Sequence, residues 1–418
     1  MSSLPVSKVP IERPFKPLLW LGFATSLWLV ACGDSSVSSD ASVLPQRDAG
    51  PRDAMADATP PDTAPPTPDA LPPPAQAKLA VRAATQTCLL TLPFPAKISE
   101  TGCYTNVAKL VHTPDLVPYE VASALWTDGA HKARFLVIPP GKSVSFDSEG
   151  RPQFPEETVF LKEFAVQLND ADPGSVVQVE TRFMRKNQFG WDFASYQWLP
   201  DGSDATVVPS GHYLPLQIKG TTGDTRTLNY LFPGNGDCLT CHSPTVPQYF
   251  GPAPAQLYMD VSYDHVRKNQ LEALSELGLF DKQNMKKPDF QVVDPKDASQ
   301  PLEARARSWL HANCSHCHQP GGWTPPLLTM DLRYDRLLPL ANVCNVRTQY
   351  LTTIPRVKPG DPMGSAIWRR ISSSGFDRMP PIGVSVTDPT SDVVRQWIAS
   401  LTACPPKPAE TEIPAPLP

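Results

Sequence analysis

Between residues 85 and 235 the apolar side chains recur with period two. Val177, Val179, Thr181 and Phe183 alternate with Gln178, Glu180 and Arg182, and Val159, Leu161 and Phe164 mark a second such stretch. Residues 135–138 form a short apolar run closed by Pro139-Pro140-Gly141, and Gly190 precedes Trp191, Phe193 and Ser195, which reads as a hairpin. Period two is the spacing of a half-buried strand, so this segment is expected to be an antiparallel sheet. Trp191, Tyr196 and Trp198 are read as its core or rim aromatics. Beyond residue 236 the spacing changes to that of helices. Leu271, Leu274, Leu277 and Leu279 suggest a helix over about 266–280. Leu302, Ala306, Trp309 and Leu310 suggest another over about 301–313, and residues 365–371 a third. Val393, Val394, Trp397, Ile398 and Leu401 line the apolar face of a last helix entered near Asp392. The expected fold class is therefore α+β and multidomain. It has a β-rich domain at 85–235, a motif-bearing segment with a helix at 236–300, and a helical domain at 301–404.

The two ends of the chain have no such pattern. Lys8, Arg13 and Lys16 precede an apolar run at 17–31. Its 15 residues are too few to span a bilayer core, which needs ~20. Positive flank and length fit an export signal over 1–31, with an ordinary signal peptide or a short anchor as the plainer alternatives. The sequence Leu29-Val30-Ala31-Cys32-Gly33 resembles a bacterial lipobox, which implies lipidation of Cys32 and attachment to a membrane in the cell envelope, facing the periplasm or the cell surface. Residues 32–84 are rich in Pro, Ala and Asp, with ten prolines between Pro45 and Pro74. They cannot bury enough apolar surface to offset ordering and read as a tether. Residues 405–418, with six prolines, read as a loose tail. The chain holds 50 prolines in 418 residues, and its formal net charge is −5. That balance argues against a nucleic-acid partner held by a basic face.

The chemistry lies in the nine cysteines. Cys238-Leu239-Thr240-Cys241-His242 and Cys314-Ser315-His316-Cys317-His318 are both C-x-x-C-H, the attachment pattern of c-type haem. Two thiols bond the two vinyl groups of one porphyrin, and the next histidine reaches the iron. Two haem c groups are thus expected, on Cys238, Cys241 and His242 and on Cys314, Cys317 and His318. The physical rival is a Cys₄ zinc site, for which a separation of 76 residues is long and the two histidines are unexplained. Met379, in the stiff stretch Arg378-Met379-Pro380-Pro381, is the expected distal ligand of the second haem, with Met363 a weaker rival. For the first, Met259, His265, His112, His131 and His212 are all open, as is a vacant iron position. His311 and His316 are read as non-ligands. Cys88 and Cys103 are expected to form one disulfide and Cys344 and Cys404 a second. The odd cysteine is then Cys32.

The second motif, at the end of one helix, with a methionine before the last helix, resembles the class I cytochrome c fold over about 301–404. This implies that the helical domain is all-α. The wider region 98–404 resembles a bacterial family of exported two-motif c-type cytochromes. The resemblance rests on Leu125-Trp126-Thr127-Asp128-Gly129-Ala130-His131-Lys132, Glu180-Thr181-Arg182, Asn269-Gln270-Leu271 and Ala304-Arg305-Ala306-Arg307. It also rests on Asn313-Cys314, Pro359-Gly360-Asp361-Pro362 and the Met379 loop. It implies a membrane-anchored dihaem electron carrier serving redox partner proteins, rather than a catalyst. The alternatives are a dihaem-peroxidase-like enzyme or oxidoreductase subunit with an open first haem, and a β-domain binding module with a haem cofactor. No catalytic residue is assigned. Asp128, His131 and Lys132 form a polar cluster read as a structural turn. Proximity of Cys241 to Cys317 would favour transfer between the two haems.

Overall fold

The structure is a computed structural model. It describes residues 85–88, 92–148, 150–243, 251–263, 266–283, 285, 287–288, 290–325, 328–349, 354–375, 377–381 and 386–406. The expected signal 1–31, Cys32, the expected tether and His265 lie outside the described residues, as do residues 407–418.

Two short strands, β1 (Tyr104–Asn106) and β2 (Val111–His112), open the chain as a hairpin. They are followed by β3 (Val117–Pro118), β4 (His131–Val137), the small hairpin β5 (Ser145–Phe146) and β6 (Pro152–Gln153), and β7 (Val159–Gln167). The meander continues through β8 (Val176–Asn187), β9 (Gly190–Trp198) and β10 (Ala205–Val207). Strands 10-9-8-7-4-3 form one six-stranded sheet, antiparallel throughout. A third hairpin pairs β11 (His212–Lys219) with β12 (Thr225–Phe232). The expected antiparallel, β-rich segment is present.

Both faces of the sheet are covered. On β4, Phe135 and Val137 point into a core with Ile98, Leu161, Phe183, Tyr196 and Trp198. Their neighbours Leu136 and Ile138 point the opposite way, onto Leu257, Leu271, Leu274 and Phe280. That alternation is the pleat itself, and it explains why every residue of β4 is buried. Tyr196 and Trp198 are core residues, and Trp191 stacks on Phe160 with ring centroids 5.0 Å apart. Past a register shift at Phe164/Ala165, β7 turns its side chains toward the β11–β12 hairpin, where Phe164, Val166, Ile218, Tyr230 and Phe232 pack together.

The helices are short: α1 (Asn235–Cys241), α2 (Pro254–Leu257), α3 (Gln270–Glu276), α4 (Leu302–Cys314), α5 (Ala366–Ile371) and α6 (Asp392–Ser400). The helix expected over 266–280 is only α3. Val266–Asn269 instead forms β14, paired with β13 (Asp260–Tyr263). The Asn269 side chain accepts from the Glu272 N–H and caps α3, and Gly278 at φ +70° lies just past its end.

The all-α, cytochrome c-like domain expected over 301–404 is not evident among the described residues. The three helices in this part have 13, 6 and 9 residues. They are set in long irregular connections with isolated bridges at Cys344↔Val357 and Arg347↔Pro355. Seven prolines between residues 315 and 365 give the physical reason, since each lacks the N–H that a helix interior requires. The three helices still share a core, in which Trp309 and Leu310 of α4 meet Ile371 of α5 and Val394, Trp397 and Ile398 of α6. Both expected disulfides are present, Cys88–Cys103 and Cys344–Cys404.

Candidate metal and cofactor site

The first motif begins where β12 ends. Gly234 precedes α1, and the Asp237 carboxylate accepts from its N–H at 3.0 Å, closing the first turn. A Cβ on Gly234 would stand 2.7 Å from the Gly211 nitrogen, so only glycine allows this approach to the turn before β11. The His242 N–H donates to the Cys238 carbonyl at 2.8 Å, the i to i−4 bond of a helix. Cys238, Cys241 and His242 therefore stand at i, i+3 and i+4, on one face. The His242 ring lies 5.4 Å from that of Phe193 on β9.

The second motif repeats this arrangement at the end of α4. The His318 N–H donates to the Cys314 carbonyl at 2.9 Å, and the His318 carbonyl accepts from Leu332 at 2.9 Å. Gly322 closes the following turn, where a Cβ would fall 2.2 Å from the Cys317 oxygen. The helix is fixed from the sheet side. Buried Asn313 accepts from the Trp126 N–H at 2.7 Å and donates to the Trp309 carbonyl at 2.9 Å. Ser123 donates to the Ser308 carbonyl at 3.1 Å, and the Trp126 indole donates to the Val386 carbonyl at 2.8 Å. Asp128, at φ +49°, accepts from the Val386 N–H at 2.8 Å. The segment 123–128 is thus a strut between the sheet and the second motif.

The two motifs meet. The Cys317 thiol donates to the Thr240 carbonyl at 3.6 Å, across 77 residues of sequence. The sulfurs of Cys241 and Cys317 and a ring nitrogen of His316 all lie within 4.8 Å of one another. All four motif thiols are free and half-buried. The hydrogen bond from Cys241 to Cys317, then burial, pushes the Cys241 thiol up to about 12; the same hydrogen bond, against burial, holds Cys317 below its ordinary value. Burial pushes Cys314 up to about 12 and Cys238 up to about 11.

Near Cys238 lies a buried polar hub. Fully buried Glu180 accepts from Arg182 at 2.7 and 2.8 Å, from the Tyr230 hydroxyl at 2.7 Å, and from Ser195. The Arg182 charge opposes the upward shift of Cys238, and Glu180 adds to it. After burial, the two charges of strand β8 bear most on Cys238.

The Arg370 charge bears on His318, and the Arg370 carbonyl meets the Met379 loop. Burial, with the charges of His316, Arg356 and Arg370, lowers His318 to about 4. The Met379 N–H donates to the Arg370 carbonyl at 3.0 Å. Nδ1 of His318 is buried and has no hydrogen-bond partner among the described residues. Met363 is 67% exposed. Of the histidines proposed for the first iron, His112 is bonded to Glu163 at 2.8 Å and His212 to Gln197 at 2.9 Å. His131 is buried on β4. Met259 joins α2 to α3 through its carbonyl, which accepts from Gln270 at 2.8 Å.

His316, read as a non-ligand inside the motif, has a ring nitrogen beside the sulfurs of Cys241 and Cys317, a neighbourhood the sequence reading does not give. The signal was there in the run of four donor side chains within five residues at 314–318. No known protein family, curated protein or solved structure compared with this chain matches it. Among the described residues, no helix is long and apolar enough to cross a membrane.

Proposed function

We propose that this chain is a membrane-anchored dihaem c-type cytochrome that carries electrons in the bacterial cell envelope. The observation that carries the reading is the repeated i, i+3, i+4 arrangement of Cys, Cys and His at two helix ends that touch. The donor set fits a covalently held porphyrin, and His318 is half-buried with a buried Nδ1. Cys238, Cys241 and His242 would hold one group, and Cys314, Cys317 and His318 the other, with Met379 as distal ligand. A bound haem iron supplies a one-electron couple. The polypeptide's part is to half-bury the two histidines, to place Arg182, Arg356 and Arg370 where their charges bear on the motifs, and to keep the two sites adjacent. Cys32 would supply the lipid anchor, and the tether of 32–84 a flexible reach of ~40 Å toward redox partner proteins.

The test is maturation of the full chain with a c-type haem ligase, followed by intact mass and a pyridine-haemochrome spectrum. Two added haem masses are expected, and a chain with none ends the reading. Met379→Ala is expected to lower the potential of one haem or open its sixth position, because the thioether raises the potential. An unchanged potential and spectrum would remove Met379 from the ligand set.

One observation favours a second reading, an oxidoreductase or peroxidase-like enzyme with an open first site. His112 and His212 both have partners away from the first motif. Carbon monoxide binding to one of two reduced haems would favour it, and two six-coordinate haems would exclude it.

A further inference from the structure

We propose that the haem-free polypeptide binds one thiophilic d¹⁰ cation, Zn²⁺ or Cu⁺, between its two motifs, through Cys241, Cys317 and His316. The three donors come from two segments more than 70 residues apart, yet they lie within 4.8 Å of one another. A cation at ~2.0–2.3 Å from each donor needs them ~3.4–3.8 Å apart, so the donors need to approach by about 1 Å at most.

The donor chemistry selects the ion. Two sulfurs and one imidazole are soft and borderline ligands, which suit Zn²⁺ or Cu⁺ over the oxygen-seeking Ca²⁺ and Mg²⁺. Among the described residues, no carboxylate belongs to the cluster. His316 supplies an independent reason. It is 6% exposed, and neither C-x-x-C-H pattern has a use for a histidine inside the motif. Three protein donors give a trigonal Cu⁺ site, or a Zn²⁺ site whose fourth position takes water.

Loading is redox-neutral. Each of the two thiols gives up a proton to solvent as its sulfur bonds the metal, and neutral His316 donates a lone pair. Haem attachment uses the same sulfurs differently: S–H adds across a vinyl C=C, sulfur to one carbon and hydrogen to the other. Metal loading and full haem loading are therefore mutually exclusive at Cys241 and Cys317. This last consequence rests on the haem reading, but the metal site itself does not.

The experiment uses the full chain produced without a haem ligase, reduced and kept free of oxygen. Zn²⁺ is titrated against a chromophoric chelator, and Cu⁺ in a separate arm against a Cu⁺-specific one. One equivalent per chain is expected in at least one arm, and the arms identify the ion. Cys241→Ser, Cys317→Ser and His316→Ala are each expected to weaken binding by at least ~10–100-fold, whereas Cys238→Ser and Cys314→Ser leave it unchanged. Far-UV circular dichroism of every variant separates loss of the site from loss of the fold. In the wild-type chain, cobalt substitution is expected to give thiolate charge-transfer bands with the intensity of two sulfurs. The proposal is overturned if the reduced chain retains no metal. It is also overturned if Cys238→Ser and Cys314→Ser weaken binding as much as the three ligand variants, which would define a Cys₄ site. Haem mass on ligase-matured protein is a separate measurement, so failure of either reading is distinguishable.

Discussion

Asn313 fastens the second motif to the sheet, and its removal has a calculable cost. It is 1% exposed and makes two hydrogen bonds, from the Trp126 N–H at 2.7 Å and to the Trp309 carbonyl at 2.9 Å. Asn313→Ala forfeits both, at ~1 kcal/mol each, and leaves the Trp126 N–H without its acceptor, at ~1–3 kcal/mol, with partial relief from water. The expected loss is about 2–4 kcal/mol in urea unfolding at neutral pH. Asn313→Asp sharpens the test. The carboxylate can still accept from Trp126, but it cannot donate to Trp309 while ionised. Its folded pKa is then raised by burial, so the folded state binds the extra proton. The deficit relative to wild type should shrink as pH falls from 7 toward 5. A loss below ~1 kcal/mol for Asn313→Ala, with an unchanged denaturant slope, would refute the strut as an energetic link.

The two disulfides should differ in worth. Cys344–Cys404 closes 60 residues and Cys88–Cys103 closes 15, so paired alanine variants should lose about 4 and about 3 kcal/mol. The reverse order in thermal melts would count against the loop-entropy account. Burial, His316 and Arg333 hold His311 at about 4, and its Nδ1 accepts from the Tyr334 N–H at 3.3 Å. Its folded pKa lies below the ordinary 6.5, so the unfolded chain binds more protons in between. Stability should therefore fall, by at most ~3 kcal/mol, as pH drops from about 6.5 to about 4. His311→Gln should flatten that slope, and an unaltered slope would remove His311 as its source. Tyr230→Phe withdraws a 2.7 Å bond from buried Glu180 and should cost about 1.5–3 kcal/mol in chemical denaturation. No measurable change would mean that water replaces the hydroxyl.

Much of this architecture was legible in local pattern. The alternation around Val177–Phe183 is β8, and Val393, Val394, Trp397 and Ile398 are the buried face of α6. The Cys88–Cys103 bridge followed from a separation of 15 residues in a chain read as exported, and Cys344–Cys404 was the pair that remained. The all-α expectation came from the resemblance to the class I cytochrome c fold, and it fails on the connection between α4 and α5, where seven prolines disfavour helix. The contact between Thr240 and Cys317 left no local trace. It depends on how α1 leaves β12 and on how α4 is pinned by Trp126. Both are long-range matters of docking, and no window of the sequence contains them.

Eight of the cysteines, taken in order of synthesis, are 88, 103, 238, 241, 314, 317, 344 and 404. Both bridges join consecutive members of that series. An oxidising catalyst that meets thiols as they emerge would make each bridge at first attempt, with no reshuffling step. The same rule would pair 238 with 241 and 314 with 317, within each motif. Among the described residues, the contact between Cys241 and Cys317 brings together thiols that are not consecutive in that series. A mispaired chain should therefore carry its error at that seam.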